Sequence, residues 1–281
     1  MCSNSGRSEA LFTKTAGLID RVDFLYDQGF RRVVLTGGEP TIHPGFWDVV
    51  SALNARGMRW DVNTHGRSFS DPDFTLRASE EGLERAIVSL HSHDVETSCL
   101  IFGVKKRAHD ETVEGISRLL DAGIWIMLNC VVTTYNAPHL EDYLRWCVDR
   151  YGTDYVMKLA FPSITGKGGD WDGLSLRYID VIDEVDRMRK AADELGVRLV
   201  FESFPSCILR DPKNRNISRS GFGETHYLDD VSGDKVYPID HIEAALSAYP
   251  SSCQRCRVVK RCPGVSESYL MRYGASEFMP L

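Results

Sequence analysis

Short β-branched runs alternate with amphipathic stretches through most of this chain, and that alternation limits its fold more than any other feature. The runs are Arg32 to Thr36, Trp60 to Asn63, Ala86 to Leu90, Ile124 to Val132, Tyr155 to Phe161 and Val197 to Phe201. Between them, apolar residues recur at helical spacing, as in Leu18, Val22 and Leu25, or Val113, Ile116, Leu119 and Leu120. Gly29, Gly57, Gly123 and Gly196 each stand just before a run, where a helix stops and a strand begins. Repeated strand–helix units imply parallel strands joined by right-handed crossovers, hence an α/β sheet or barrel.

The pattern stops near residue 202. Residues 203–240 are rich in Pro, Gly, Asp, Asn and Ser and read as loop. A short apolar patch (Ile239, Ile242, Ala245, Leu246) and a cysteine cluster follow. Two regions are therefore expected: a barrel over 1–202 and a cysteine-rich extension over 203–281, too poor in apolar residues to order unaided. With 33 Lys and Arg against 40 Asp and Glu, the net charge of −7 lacks the basic footprint of a nucleic-acid binder. No apolar run reaches a membrane span and no signal peptide opens the chain, so no membrane partner and a cytoplasmic location are expected. Eight cysteines in 281 residues are too sparse for a disulfide scaffold.

The segment Thr36-Gly37-Gly38-Glu39-Pro40-Thr41 leaves the first of these strands at its C-terminal end, where α/β folds gather their ligands. Two glycines let a ligand approach the backbone, Pro40 stiffens the exit, and Glu39 offers a carboxylate to a cationic group. An exposed glycine turn fits the same string. Cys253-x2-Cys256-x5-Cys262 is a metal or iron–sulfur clip. Cys207, after the last strand, is its best fourth ligand, with His226 or His241 as substitutes. Arg255, Arg257, Lys260 and Arg261 would offset the thiolate charge. Zinc and an iron–sulfur cluster both fit this spacing. Cys130 and Cys147 read as core residues, and Cys99 as part of a loop.

Thr-Gly-Gly-Glu-Pro-Thr after a strand resembles the segment by which radical S-adenosylmethionine enzymes hold the amino group of their cofactor. Those enzymes carry Cys-x3-Cys-x-Φ-Cys, with Φ hydrophobic, after their first barrel strand. Met1-Cys2 matches the end of that motif, while its first two cysteines and the strand before them are not in this sequence. The resemblance implies a partial (β/α)6 TIM-like barrel lacking its first strand, with an N-terminal truncation as the expected cause. It assigns Cys2 to a catalytic [4Fe–4S] cluster with an incomplete ligand set. Gly37, Gly38, Glu39 and Pro40 would hold the amino end of S-adenosylmethionine, and Ser89 and Asn129 its carboxylate, ribose or adenine. Similar extensions hold an auxiliary [4Fe–4S] cluster, here on Cys207, Cys253, Cys256 and Cys262, which weights iron–sulfur over zinc.

The implied activity is that of an iron–sulfur oxidoreductase. S-adenosylmethionine is reductively cleaved, and the 5′-deoxyadenosyl radical takes hydrogen from an unidentified peptide, protein or small molecule. The electron would come from a donor such as flavodoxin or ferredoxin. His65, His91, His93, Lys158 and Glu202 are strand-end candidates for substrate contact. Two other readings stay open: a barrel with a structural four-cysteine zinc site, and a noncatalytic remnant of the family.

Overall fold

The computed structural model describes residues 12–162, 172–210, 225–228, 234–238 and 247–281. Six strands form one parallel sheet in the order of the chain: β1 (Arg32–Leu35), β2 (Arg59–Thr64), β3 (Leu83–Ser89), β4 (Trp125–Val131), β5 (Val156–Ala160) and β6 (Arg198–Glu202). Helices α1 (Thr15–Asp27), α2 (Phe46–Ala55) and α3 (Pro72–Glu80) precede or join the early strands. α4 (Val95–Phe102) and α5 (Lys106–Asp121) lead to β4, α6 (Leu140–Tyr151) to β5, and α7 (Tyr178–Leu195) to β6. This is the α/β architecture expected, with each strand within three residues of its β-branched run. Among the described residues no helix is long and apolar enough to cross a membrane.

Contacts divide the chain into two compact units, one of residues 12–90 with 98–129, the other of 91–97 with the described residues from 130 onward. In the first, the apolar side chains Trp60, Val62 and Val88 are fully buried. Asp61 on β2 is buried too, bonded to Arg32 of β1 at 2.8 Å and to Arg85 of β3 at 2.6 Å. Gly66, just past β2, has a positive φ of 81°. A Cβ on Gly115 of α5 would come within 2.1 Å of the Gly66 carbonyl, so only glycine lets this helix approach the strand exit.

In the second unit, Phe201 and Leu199 of β6 and Val185, Met188 and Ala192 of α7 are fully or almost fully buried. The region after β6 departs from the loop expected over 203–240. It contains a short helix, α8 (Ser206–Leu209), and an antiparallel pair, β7 (His226–Leu228) with β8 (Val236–Pro238). Tyr227 and Tyr237 face each other across that pair, a cross-strand aromatic match that the turn-rich composition conceals. A second pair joins β9 (Ser247–Ala248) to β10 (Val265–Ser266), and α9 (Glu267–Tyr273) follows. The apolar patch at 239–246 lies outside the described residues. Cys99 sits within α4 rather than in a loop, whereas Cys130 and Cys147 are fully buried core thiols, and burial drives both pKa values far up.

The extension also joins an aromatic cluster that its composition does not suggest. Phe161 stacks on Tyr178 with ring centroids 3.8 Å apart, and Tyr178 lies 4.8 Å from Tyr269. Phe204 and Phe278 complete this buried group. Tyr269 Oη accepts from the Tyr178 N–H at 3.0 Å and donates to Glu277 at 2.8 Å; Glu277 pairs with Arg177 at 2.6 Å. These few apolar residues are large and clustered, so each buries much surface.

Candidate active site

Glu39 follows β1 in an extended conformation (φ −137°, ψ 109°), and Pro40 opens a single 3-10 turn over Pro40–Ile42. The side chain caps that turn. Its Oε1 accepts from the Thr41 N–H at 3.2 Å, the Thr41 hydroxyl at 2.6 Å and the Thr64 hydroxyl at 2.7 Å. Its Oε2 accepts from the His65 N–H at 2.8 Å. Thr41 is held in turn by the Ser68 hydroxyl at 2.8 Å, and Thr64 by the Gly66 N–H at 3.0 Å. The Glu39 side chain is only 7% exposed, which removes the exposed-turn alternative. A carboxylate offers about four acceptor positions, two on each oxygen. Three donors crowd Oε1 and one meets Oε2, so further accepting capacity sits on Oε2. Gly37, at φ 142°, and Gly38 have nothing within 4 Å of where a Cβ would be, leaving open space over their backbone.

His65 lies beside this carboxylate, its Nδ1 3.3 Å from Oε2 and 3.2 Å from the Arg67 N–H. Burial, the largest influence, lowers the His65 pKa; Arg67 adds to that and Glu39 and Glu111 oppose it. Ser89 ends β3 and Asn129 lies near the end of β4 as its direct register partner, both half-buried, so these two expected cofactor residues stand together.

In the second unit, Lys158 is buried on β5 and its ammonium bonds Glu202 of β6 at 2.6 Å. The two alternate in step along paired strands, where Ala160 is the register partner of Glu202. His91 is buried, and its Nδ1 accepts from the Val131 N–H at 3.3 Å. The His93 ring packs against Tyr143 and Trp146, and burial lowers its pKa.

Cys207, Cys253, Cys256 and Cys262 line one cavity of the second unit, together with Pro205, Val258, Val259, Val265, Phe278 and Pro280. The four thiols are its chemically reactive lining, and the rest is mostly apolar. The Ser206 N–H donates to Cys262 Sγ at 3.5 Å, and the Tyr249 hydroxyl to the Cys262 carbonyl at 3.0 Å. The final segment closes one side: Phe278 accepts through its carbonyl from Ser252 at 3.3 Å, and Leu281 from the Arg257 N–H at 2.9 Å. Burial pushes Cys207 up to about 11, with the neighbouring thiols Cys262, Cys253 and Cys256 adding to it. Among the described residues no three His, Cys, Asp or Glu side chains are gathered tightly enough to hold a metal ion between them. Cys2 and His241 lie outside the described residues, and His226 sits on β7.

Sequence reasoning missed Thr64, Ser68 and Asn136. Thr41 was in the motif without a role, although a threonine two residues after a turn-capping carboxylate is a readable signal. Nothing local marks Thr64 or Asn136.

The profile of the Radical SAM superfamily matches residues 1–147. A probable GTP 3′,8-cyclase of Sulfurisphaera tokodaii is 28% identical over 64% of this chain and 55% of its own length. The AdoMet-dependent heme synthase of Nitratidesulfovibrio vulgaris is 25% identical over 45% of this chain and 34% of its own. The chain thus spans about half, or less, of the curated relatives it matches. In structure it is similar to Streptococcus suis SuiB bound to precursor peptide SuiA, with a TM-score of 0.65 at 13% identity, covering 100% of this chain and 71% of that one. Native anSMEcpe with bound AdoMet and a Cp18Cys peptide gives 0.64 at 13% identity, over 96% and 85%. These last two share the fold. The chain belongs to the radical SAM superfamily, whose members work with a [4Fe–4S] cluster and S-adenosylmethionine.

Proposed function

We propose that this protein cleaves S-adenosylmethionine reductively at the C-terminal edge of its parallel sheet and directs the product radical at a peptide or small-molecule substrate. The observation that carries this reading is the Glu39 carboxylate, held by four donors with capacity left on Oε2 beside an open glycine backbone. When bound, the cluster supplies one electron and the cofactor supplies the 5′-deoxyadenosyl radical that takes a hydrogen atom from the substrate.

Glu39 accepts from the cofactor's amino group while Gly37, Gly38 and Pro40 set the wall beside it. Ser89 and Asn129 take its carboxylate or ribose, and Cys2 contributes to the catalytic cluster. His65 after β2, His91 after β3, Lys158 within β5 and Glu202 at the end of β6 are the candidates for substrate contact. The electron comes from a flavodoxin or ferredoxin. Relatives named for GTP and heme chemistry, and a fold neighbour bound to a peptide, set the substrates to try first.

Cys207, Cys253, Cys256 and Cys262 hold an auxiliary [4Fe–4S] cluster. Four thiols around one largely apolar cavity suit it, and the cysteine-rich extensions of similar enzymes favour a cluster over zinc. Anaerobic reconstitution followed by dithionite and S-adenosylmethionine tests both parts. Iron and sulfide retained through the four cysteines is the expected result, with 5′-deoxyadenosine released by a chain extended to carry the whole Cys-x3-Cys-x-Φ-Cys motif. Zinc without sulfide, and no 5′-deoxyadenosine, would overturn it.

A further inference from the structure

One contact at Glu39 serves neither its bracing nor the binding of an amino group. His65 Nδ1 lies 3.3 Å from Oε2, the oxygen with accepting capacity left. The same nitrogen receives the Arg67 N–H at 3.2 Å. A ring nitrogen that accepts carries no proton, so this hydrogen bonding assigns a neutral ring with its hydrogen on Nε2. Two acceptors then face each other, and a donor arriving at Oε2 meets no competitor. A proton on Nδ1 reverses the arrangement. The N–H would point at Oε2, form a charge-assisted bond, fill the remaining acceptor position and cancel the carboxylate's charge.

We propose that His65 gates Glu39: the neutral ring leaves Oε2 open to the cofactor's amino group, and the protonated ring closes it. This rests on the reading of Glu39 as the amino-group acceptor. His65 is a positioning residue, acting through Glu39. The charged groups facing it are Glu39 from the exit of β1, Arg67 from the turn after β2, and Glu111 from α5. Glu111 is itself bonded to Arg67 at 2.8 Å and to Arg107 at 2.7 Å. Thr112 on α5 donates to the His65 carbonyl at 2.8 Å, so the ring hangs from a fixed backbone. Burial outweighs the two carboxylates and lowers the ring's pKa, which keeps the gate open at neutral pH and closes it on acidification.

Two measurements on the full chain test this. The first follows the His65 ring by NMR through a pH titration, in the wild type and in Glu39→Gln. The variant should titrate lower, because its protonated ring has lost a charged acceptor; identical titrations would overturn the contact. If Glu39→Gln does not fold, Glu39→Asp, which withdraws the oxygens, serves the same comparison. The second titrates S-adenosylmethionine into reconstituted wild type and His65→Asn at about pH 5.5 and about pH 8. Asparagine keeps the backbone donor to Glu39 and takes up no proton, and the cofactor's own titration affects both proteins alike. Wild-type affinity should fall severalfold relative to the variant on acidification, whereas a constant ratio would overturn the gate. If neither protein binds the cofactor at either pH while the ring still responds to Glu39→Gln, the reading of Glu39 itself fails, and the gate's function with it.

Discussion

Asn136 donates through Nδ2 to the backbone carbonyl of His91 at 2.7 Å, tying the segment after β3 to the turn after β4. The same amide donates to the Val131 carbonyl at 2.9 Å, and its oxygen accepts from the Thr133 N–H at 2.7 Å and the Thr133 hydroxyl at 3.1 Å. It is 3% exposed, so water replaces none of these bonds. Asn136→Ala should lose about 2–4 kcal/mol, from several buried groups left without partners. Urea denaturation measures this, and a loss below about 0.5 kcal/mol would mean that the turn relaxes to satisfy itself.

Asp61 is the second stability test. It is buried between Arg32 and Arg85, which are partly exposed. Asp61→Ala removes the buried acceptor that Arg32 and Arg85 share and should destabilise the protein by about 3 kcal/mol. Because the acceptor is fully buried, the loss should vary little with salt. A loss that disappears in high salt would mark the network as a surface feature.

Glu39→Gln should weaken S-adenosylmethionine binding by roughly ten- to a hundredfold, corresponding to about 1.5–3 kcal/mol for a bond to a charged acceptor. The bracing around Glu39 adds a cost in folding as well, because an amide nitrogen turned toward any of its four donors is a mismatch. A thermal melt run beside the titration separates the two effects. Unchanged binding in a stable variant would count against Glu39.

The thiol cavity should load with a pH dependence of definite sign. Cys207 sits at about 11 and burial raises Cys253 as well, so both are protonated thiols near neutrality. Metal binding must displace those protons. Titrating zinc into the apo protein, as a probe of the thiols alone, should release protons near pH 7 and bind more tightly as pH rises toward 9. Affinity flat across that range would mean that the thiols are already ionised. The apo protein follows the opposite trend. Groups with raised folded pKa values contribute stability that is present below the unfolded thiol value of about 8.5 and is lost as pH rises through the folded one.

The strands were legible because a buried parallel strand needs a short apolar, β-branched run, and a glycine marks the helix stop before four of them. Glu39 was legible because its glycines and proline are adjacent in sequence. Its bracing was not: Thr64 lies 25 residues away, and only the parallel register of β1 with β2 brings it to Oε1. The cysteine cavity was legible from spacing. The aromatic clasp beside it was hidden, since Phe161, Tyr178, Phe204, Tyr269 and Phe278 share no period. The β7–β8 pair was masked by turn residues whose composition resembles that of a plain loop.

Because every strand of the sheet pairs with its predecessor in the chain, the sheet can be laid down in the order in which it is synthesised. Each new strand finds a finished edge waiting, with no gap held open for a later arrival. The thiol cavity is on a different schedule. One wall carries Cys207 and another Phe278 and Pro280, so the pocket forms only when the segment after the sheet has folded back beside α8. A nascent chain that has emerged only as far as α8 would present the finished sheet and Cys207 without Cys253, Cys256 and Cys262. Any metal held by all four thiols would therefore arrive after the sheet is complete.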